Sequence, residues 1–409
     1  MTLAADVSRK ALVVGAGIAG LSAATALSAA GFQTKIVERS SNRRRGGYFI
    51  MLFGSGRIAA DHLGIDGIRP RNARDGESFR FDRLGRRRQS MGFDELPSDP
   101  WMMLRGDVEQ AAFDSLPETV SVSYSTSPSA IVQGEEGVAV TLRDSSDGSE
   151  RTEVYGLVVG ADGIRSTVRR LCWGPDSDYL DSFGDMICAY ELTDPLPGLR
   201  AQDGASITEA GRSFTVFNFA DHAPTILFSY RSQNVSADHI RAKEIGVSAL
   251  LREVYGPEPL GEMMEAALAH LENASEFLFD SVEQARVDHW HHGRVMLLGD
   301  AAWCPSLYSG MGATSSISGA DVLRVMLQRY PDSLESALTA WEEKLRSPIE
   351  QFQQSAFPMR SLFTVDTDRA ILRRDQTQAL FKFVSRFSLA RAILANTPSF
   401  RRRNSDLAA

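Results

Sequence analysis

The chain is poor in cysteine: Cys172, Cys188 and Cys304 stand alone among 409 residues. No C-x-x-C pair occurs, so neither a redox dithiol nor a cysteine-built zinc site is suggested, and a low, odd count fits a reducing compartment. Basic charge is not in excess either. Lys and Arg number 44 against 52 Asp and Glu, a formal net charge of -8, the wrong sign for a chain whose main partner is nucleic acid. No apolar run reaches bilayer length, and the opening MTLAADVSRK lacks the apolar core of a secretory signal. Histidine is scarce. Three of the seven fall in His289-Trp290-His291-His292, but without further ligands at suitable spacing this reads as a polar turn, and no metal is expected. There is no internal repeat and no low-complexity segment. What remains is an ordinary globular composition, 43% hydrophobic and 23% charged. The expectation is a cytoplasmic protein of two to three domains, with no membrane span and no nucleic-acid partner.

Against those absences, Ala11–Gly20 stands out. The apolar run Ala11–Val14 leads into Gly15-Ala16-Gly17-Ile18-Ala19-Gly20, a helix-like Leu21–Ala30 stops at Gly31, and Thr34–Val37 reads as a second strand ending at Glu38. Strand, G-x-G-x-x-G, helix, strand and acid together form the context that a dinucleotide-binding turn requires. Gly15 permits the tight turn, Gly17 lets backbone approach a pyrophosphate, and Gly20 lets helix and sheet pack closely. The helix start then offers N–H groups to phosphate, and Glu38 is placed to accept from an adenosine ribose.

Two more apolar strands end in glycine and acid: Leu157–Val159 runs into Gly160-Ala161-Asp162-Gly163, and Val295–Leu298 into Gly299-Asp300. In an open parallel sheet, ligands bind at the carboxyl ends of strands, so the three turns point to one shared ligand edge. A small antiparallel meander is expected from Val120–Tyr124, Ala130–Gln133 and Val138–Arg143, and a hairpin from Phe79–Phe81 and Arg87–Met91. The middle, about 181–280, carries aromatic strands Met186–Leu192, Ala205–Thr208, Phe214–Phe219 and Thr225–Tyr230, then helices. From Ala313 the pattern is helical, with Pro331, Pro348 and Pro358 as breaks and Arg401–Ala409 frayed. A helix starting at Gly310-Met311-Gly312-Ala313 aims free N–H groups at negative charge.

These motifs carry a resemblance. Gly15–Gly20 with Glu38, then Asp162-Gly163-Ile164-Arg165-Ser166 with Val168-Arg169, then Gly299-Asp300-Ala301-Ala302 with Gly310-Met311-Gly312, in that order, resemble the class A flavoprotein monooxygenases, the group typified by p-hydroxybenzoate hydroxylase. The chain is similar to the tetracycline-inactivating monooxygenases and the short actinobacterial FAD-dependent hydroxylases. The resemblance implies an α/β fold: a discontinuous, glutathione-reductase-like Rossmann-type FAD-binding domain (1–72, 100–178 and 282–330), an inserted, mostly antiparallel β-sheet substrate domain (73–99 and 179–281) and a C-terminal helical segment (331–409). It implies non-covalent FAD held by Gly15, Gly17, Gly20, Glu38, Arg39, Arg45, Gly47, Arg105, Asp162, Asp300, Gly310, Met311, Gly312 and Ala313. Glu38 would hold the adenosine ribose, Asp300 the ribityl chain, and Asp162 would lie near the pyrophosphate. The flavin-facing loop would contain Pro305, Leu307 and Gly310. The chain departs from the family pattern at Trp303, where many members have His, and at Leu307, near the position of a later proline.

The activity implied is NAD(P)H-dependent insertion of one oxygen atom from O2 into an aromatic or polycyclic small molecule, via a flavin C4a-hydroperoxide, in natural-product metabolism, by a monomer or weak homodimer. With no second G-x-G-x-x-G, NADPH or NADH is expected as a transient co-substrate, with Arg39 and Arg43–Arg45 near the 2′-phosphate. Phe214, Phe217 and Tyr230 are the first candidates to line a substrate cavity, although alternation lets only about half of such a set face it. Tyr190, Tyr230, His222 and Arg231 are candidate bases or charges. Epoxidation or Baeyer-Villiger insertion on the same fold remains open. A halogenase is disfavoured by the missing W-x-W-x-I-P, and a non-catalytic FAD-binding protein by intact motifs. The chain is also too short for the thioredoxin-like third domain of larger hydroxylases.

Overall fold

Lys10–Val14 is buried from its second residue onward because it lies in the middle of a six-stranded sheet. Gln33–Val37 and Leu157–Gly160 flank it in parallel, Ser121–Ser123 and Val295–Leu297 extend the sheet in parallel on either side, and His291–His292 adds an antiparallel edge. The computed structural model describes residues 5–43, 47–73, 75–96, 99–384 and 397–409. Uninterrupted apolar runs suit a parallel sheet covered on both faces. Helix Ile18–Ala29 packs on the first two strands, helix Gly312–Arg329 packs on that helix, and helix Leu334–Arg360 packs outside it. A side chain at Gly20 would come within 1.9 Å of the Gly15 carbonyl oxygen, so the first helix reaches its glycine turn only without a Cβ there.

Three sequence expectations are corrected. Val120–Tyr124 does not begin the meander. Its strand Ser121–Ser123 joins the parallel sheet, and the antiparallel trio is Thr126–Gly134, Gly137–Asp144 and Glu150–Tyr155. Pro348 and Pro358 lie inside Leu334–Arg360 rather than ending helices. The stripe Trp341, Leu345, Ile349, Phe352 and Ala356 is buried at helical spacing, and that packing outweighs the local proline penalty. Arg401–Ala409 is not frayed: Pro398–Arg403 is helical, Asn404 Oδ1 accepts from the Gly54 amide at 2.9 Å, and the Arg403 guanidinium lies 4.9 Å from the Phe53 ring centre.

The second large layer is a seven-stranded sheet in the order Leu278–Ala285, Leu180–Glu191, Thr225–Arg231, Arg212–Phe217, Gly204–Glu209, Ser78–Phe81, Arg87–Gln89. It is antiparallel except where Gly204–Glu209 meets Ser78–Phe81. Leu180 and Ala285 are directly paired, so the stretch between them starts and finishes at one point. Helices Val247–Tyr255 and Glu262–Asn273 share a buried core with one face of this sheet. The other face meets the loop after Asp300 and residues near Phe363. A two-stranded ribbon, Phe49–Leu52 with Trp101–Leu104, contributes to both the parallel-sheet core and the region under the second sheet. No described helix is long and apolar enough to cross a membrane.

Candidate active site

One continuous cavity of about 470 Å³ runs from the glycine turn of the parallel sheet to the open face of the seven-stranded sheet. The three acid-bearing turns meet along it, and Gly15, Gly17, Glu38, Asp162 and Asp300 all line it. The turn is held from inside. Both Glu38 oxygens accept backbone amides, from Ala16 and from Ser40, each at 2.9 Å, and each retains a lone pair for a ligand hydroxyl. Gly15 adopts φ +106°, and a Cβ there would lie 2.5 Å from the Ala161 carbonyl oxygen.

Two helices begin on this cavity, Ile18–Ala29 after Gly17 and Gly312–Arg329 after Met311, and neither has a side-chain cap. The first-turn N–H groups of a helix have no intrahelical partner, so two clusters of donors with their partial positive charge point into one space. Asp300 stands beside the second. Burial raises its carboxyl above the ordinary range, while the Cys304 thiol and the Arg105 guanidinium pull it back down. Burial also raises Asp162, against hydrogen bonds from Ser166 Oγ at 2.5 Å and the amides of Thr167 at 2.6 Å and Val168 at 3.2 Å. Asp162 therefore spends much of its accepting capacity on the start of helix Thr167–Cys172.

Arg105 lines the cavity with Nη1 2.8 Å from Glu109, and Nη2 is the nearest atom to where a Gly17 Cβ would stand. Arg39 is exposed at the same end. Arg43 lies over the Phe113 ring at 4.6 Å and has a buried Nη1 without a hydrogen-bond partner. Arg44, Arg45 and Gly46 lie outside the described residues. At the far end, Pro305, Leu307, Gly310, Gly312 and Ala313 line the cavity. Gly310 has φ +67°, and a Cβ there would sit 2.6 Å from Met51 Cε. Within this loop Ser306, a non-glycine residue, has φ +71° and ψ 159°, a conformation costing on the order of 1–3 kcal/mol.

Three predicted cofactor residues stand back from the cavity. Gly20 packs the helix onto the turn. The Gly47 amide donates to Glu191 Oε1 at 2.7 Å, and a Cβ there would lie 2.6 Å from the Gly106 nitrogen. Met311 is fully buried beneath the start of its helix. On the sheet side, Phe217 lines the cavity as expected, with its ring stacked on Phe49 at 4.0 Å. The expectation for Phe214 and Tyr230 is corrected: both belong to the core under the two helices, with Phe214 4.9 Å from Phe228. Strand alternation puts them on the opposite face from Phe217 and Leu227.

None of the four candidate bases lines the cavity. Tyr190 donates to the Ala267 carbonyl at 2.7 Å, Tyr230 is turned away, His222 lies 3.7 Å from Glu191, and Arg231 pairs with Asp366 at 2.7 Å. His289–His292 is also remote: His291 Nδ1 lies 2.9 Å from Glu342, and His292 stacks on Trp173. Sequence reading missed Tyr48, Phe49, Ile187, Ala189, Leu227, Leu278 and Phe363, all of which line the cavity. The aromatic pair directly after Gly46-Gly47 was an available signal. Phe363 gave none, because it arrives from a distant helix end.

The residues present fit FAD. The glycine turns are cradles that a Cβ would fill, two uncapped helix starts suit an anionic ligand, and Arg43 keeps an unpartnered buried donor near Glu38. Comparison with known proteins agrees. A model of the FAD binding domain matches residues 97–330, and one of the NAD(P)-binding Rossmann-like domain matches residues 13–47. The chain is 27% identical over 387 residues to a flavin-dependent monooxygenase from an unknown prokaryotic organism, covering 92% of this chain and 96% of that protein. It is 28% identical over 376 residues to the FAD-dependent monooxygenase asL6 of Sarocladium schorii, covering 84% and 86%. The solved structure of tetracycline destructase Tet(51) matches with a TM-score of 0.75 and 26% identity, covering 92% of this chain and 97% of that one. Klebsiella pneumoniae HpxO, complexed with FAD and uric acid, shares the fold with a TM-score of 0.70 and 18% identity, covering 96% and 97%.

Proposed function

The chain belongs to the FAD binding domain family and is an FAD-dependent monooxygenase; from that footing we propose that it takes electrons from NAD(P)H and places one oxygen atom of O2 on an uncharged, apolar aromatic or polycyclic small molecule. One observation carries the reading: a single cavity joins the two uncapped helix starts and Asp300 to an apolar sheet face.

The residues divide the work along the cavity. The Gly15–Gly17 turn and the start of helix Ile18–Ala29 would hold the pyrophosphate, Glu38 the adenosine ribose and Asp300 the ribityl chain. The N–H groups opening helix Gly312–Arg329 would face the ring edge that gains negative charge on reduction. FAD, when bound, supplies the hydride acceptance and oxygen activation that no side chain provides. The wall formed by Ile187, Ala189, Phe217, Leu227 and Phe363 excludes water, which protects reactive oxygen species from wasteful decay. Those five side chains have no titratable group, so they select by shape and apolar area; the charged residues Asp280, Glu283 and Arg165 that also line the cavity are paired with one another. Arg39 and Arg43 would meet the 2′-phosphate of NADPH.

The test is direct. Purified, yellow protein should oxidise NAD(P)H faster when an apolar polycyclic phenol is present, and labelled O2 should appear in a product heavier by one oxygen atom. No NAD(P)H oxidation with any aromatic compound would falsify the reading. Arg43→Ala with Arg44→Ala should weaken the preference for NADPH over NADH, and an unchanged preference removes the 2′-phosphate assignment.

A further inference from the structure

The loop at the far end of the cavity depends on a conformation that side chains rarely adopt. Ser306 sits at φ +71° and is buried, its Oγ accepts from the Tyr308 amide at 3.3 Å, and its carbonyl accepts from Ser309 Oγ at 2.9 Å. Such a backbone persists only where its surroundings hold it. Two residues on, Tyr308 leaves the loop and enters a buried polar cluster. Its hydroxyl donates to Asp185 Oδ2 at 2.7 Å and lies 3.2 Å from Thr364 Oγ1. Asp185 has no exposed surface. It is gripped from the other side by Arg360, with Nε 2.5 Å from Oδ2 and Nη2 2.7 Å from Oδ1.

Three parts of the chain meet at this carboxylate: the strand Leu180–Glu191, the flavin-facing loop and the last turn of helix Leu334–Arg360. A buried ion pair adds little stability over apolar residues of similar size, whereas a bidentate guanidinium and a phenol fix direction and distance. Ser306 and Leu307, the residues this cluster anchors, both line the cavity.

We propose that Asp185, Arg360 and Tyr308 are positioning residues: a clasp that holds the strained Pro305–Gly310 loop so that Ser306 and Leu307 present a fixed wall to the cofactor end of the cavity. The proposal rests on the reading of that cavity as the oxygenation site. The clasp touches neither substrate nor cofactor, and it acts through the loop. Its loss lets the loop leave the left-handed conformation at Ser306 and admits water, so reducing equivalents escape as hydrogen peroxide instead of reaching product.

The experiment compares the full-length chain with Tyr308→Phe and Arg360→Lys. Asp185→Asn is set aside because it changes the fully buried acceptor that both Arg360 and Tyr308 share and threatens folding. Hydrogen-exchange mass spectrometry on the purified proteins should show amides of 306–311 exchanging about tenfold faster in Tyr308→Phe, the loss of one hydrogen bond to a charged acceptor. Exchange around Trp341 should stay within about twofold. Arg360→Lys, which keeps the charge but not the fork, should fall between. With an aromatic substrate that the unaltered enzyme couples well, the peroxide released per NAD(P)H should rise at least about threefold in Tyr308→Phe. Unchanged loop exchange overturns the clasp, and a loosened loop with an unchanged peroxide share overturns its positioning role. An unaltered chain that never oxidises NAD(P)H removes the monooxygenase reading instead, while the exchange comparison still decides whether the clasp exists.

Discussion

The two faces of the seven-stranded sheet are built from the same strands and nearly the same residue types, yet they do opposite jobs. On one face Phe214, Phe228 and Tyr230 are closed under helices Val247–Tyr255 and Glu262–Asn273, and the Tyr255 hydroxyl donates its one proton between the carbonyls of Ser213 at 2.6 Å and Ser229 at 3.0 Å. On the other, Ile187, Ala189, Phe217 and Leu227 line the cavity while packing against residues far away in the chain, such as Phe49, Tyr308 and Phe363. Aromatic content does not separate a core from a cavity wall; what is stacked on each face does. The helix-covered face gains from every methylene it buries. The cavity face is packed only in part, against Tyr308, Ala356 and Phe363, and keeps room for a ligand beside them.

The sharpest way to break this comparison is truncation on each side. Phe228→Ala, on the closed face, should lower unfolding free energy by about 3–5 kcal/mol in urea denaturation. Phe217→Ala should cost less than about half of that, because the hole joins an existing cavity, and it should mainly raise KM. Equal losses would mean that both faces are core.

Asp300→Asn is next in size and has opposite effects on stability and binding. Burial raises the Asp300 carboxyl, so the FAD-free fold binds its proton more readily than the unfolded chain does and loses stability as pH rises from the ordinary carboxyl range through the raised value. Asparagine removes that charge. FAD-free protein should melt higher near neutral pH, by roughly 2–4 °C per kcal/mol gained, while FAD affinity in fluorescence titration falls about tenfold or more.

Leu227→Arg puts a cation into the apolar wall. It should shift preference from neutral aromatics towards their carboxylates by about tenfold in kcat/KM, and no shift would show that Leu227 does not meet substrate. The smallest effect is a control remote from both faces. Burial opposes ionisation of Glu153, but hydrogen bonds from Lys35, Tyr155 and Arg151 bring its carboxyl down to about 2. The stability this adds is present above the ordinary value of 4.5 and is lost as pH falls towards about 2. Glu153→Gln should flatten that part of the acid melting profile and leave catalysis unchanged.

The parallel sheet was legible because each of its ligand-bearing turns combines an apolar run with glycine and acid, and that chemistry has few other uses. Gly15, Gly17, Glu38, Asp162 and Asp300 therefore came together as read. The second sheet was legible as strands but not as a site. Phe214 and Phe217 look alike in the sequence, and their opposite fates follow from parity against helices that the sequence does not place. Leu278–Ala285 was missed because its polar residues Asp280, Ser281 and Glu283 disguise a strand, being partnered by Arg165 from the second motif. Ser121–Ser123 read correctly as a strand and wrongly as a meander member, since propensity does not name a partner. Asp185 and Arg360 gave no signal at all: 175 residues separate them, and only the folded chain makes them a pair.

The direct pairing of Leu180 with Ala285 has an evolutionary consequence. A segment that leaves and re-enters a fold through one pair of neighbouring residues can be exchanged as a cassette, because the host backbone hardly registers what lies between. A lineage can then try new roofs over an unchanged redox engine. Chimaera builders can follow the same seam, provided that they also carry over the parts of the chain that reach into the exchanged sheet, among them Ser78–Phe81, Arg87–Gln89, Tyr308, Arg360 and Phe363.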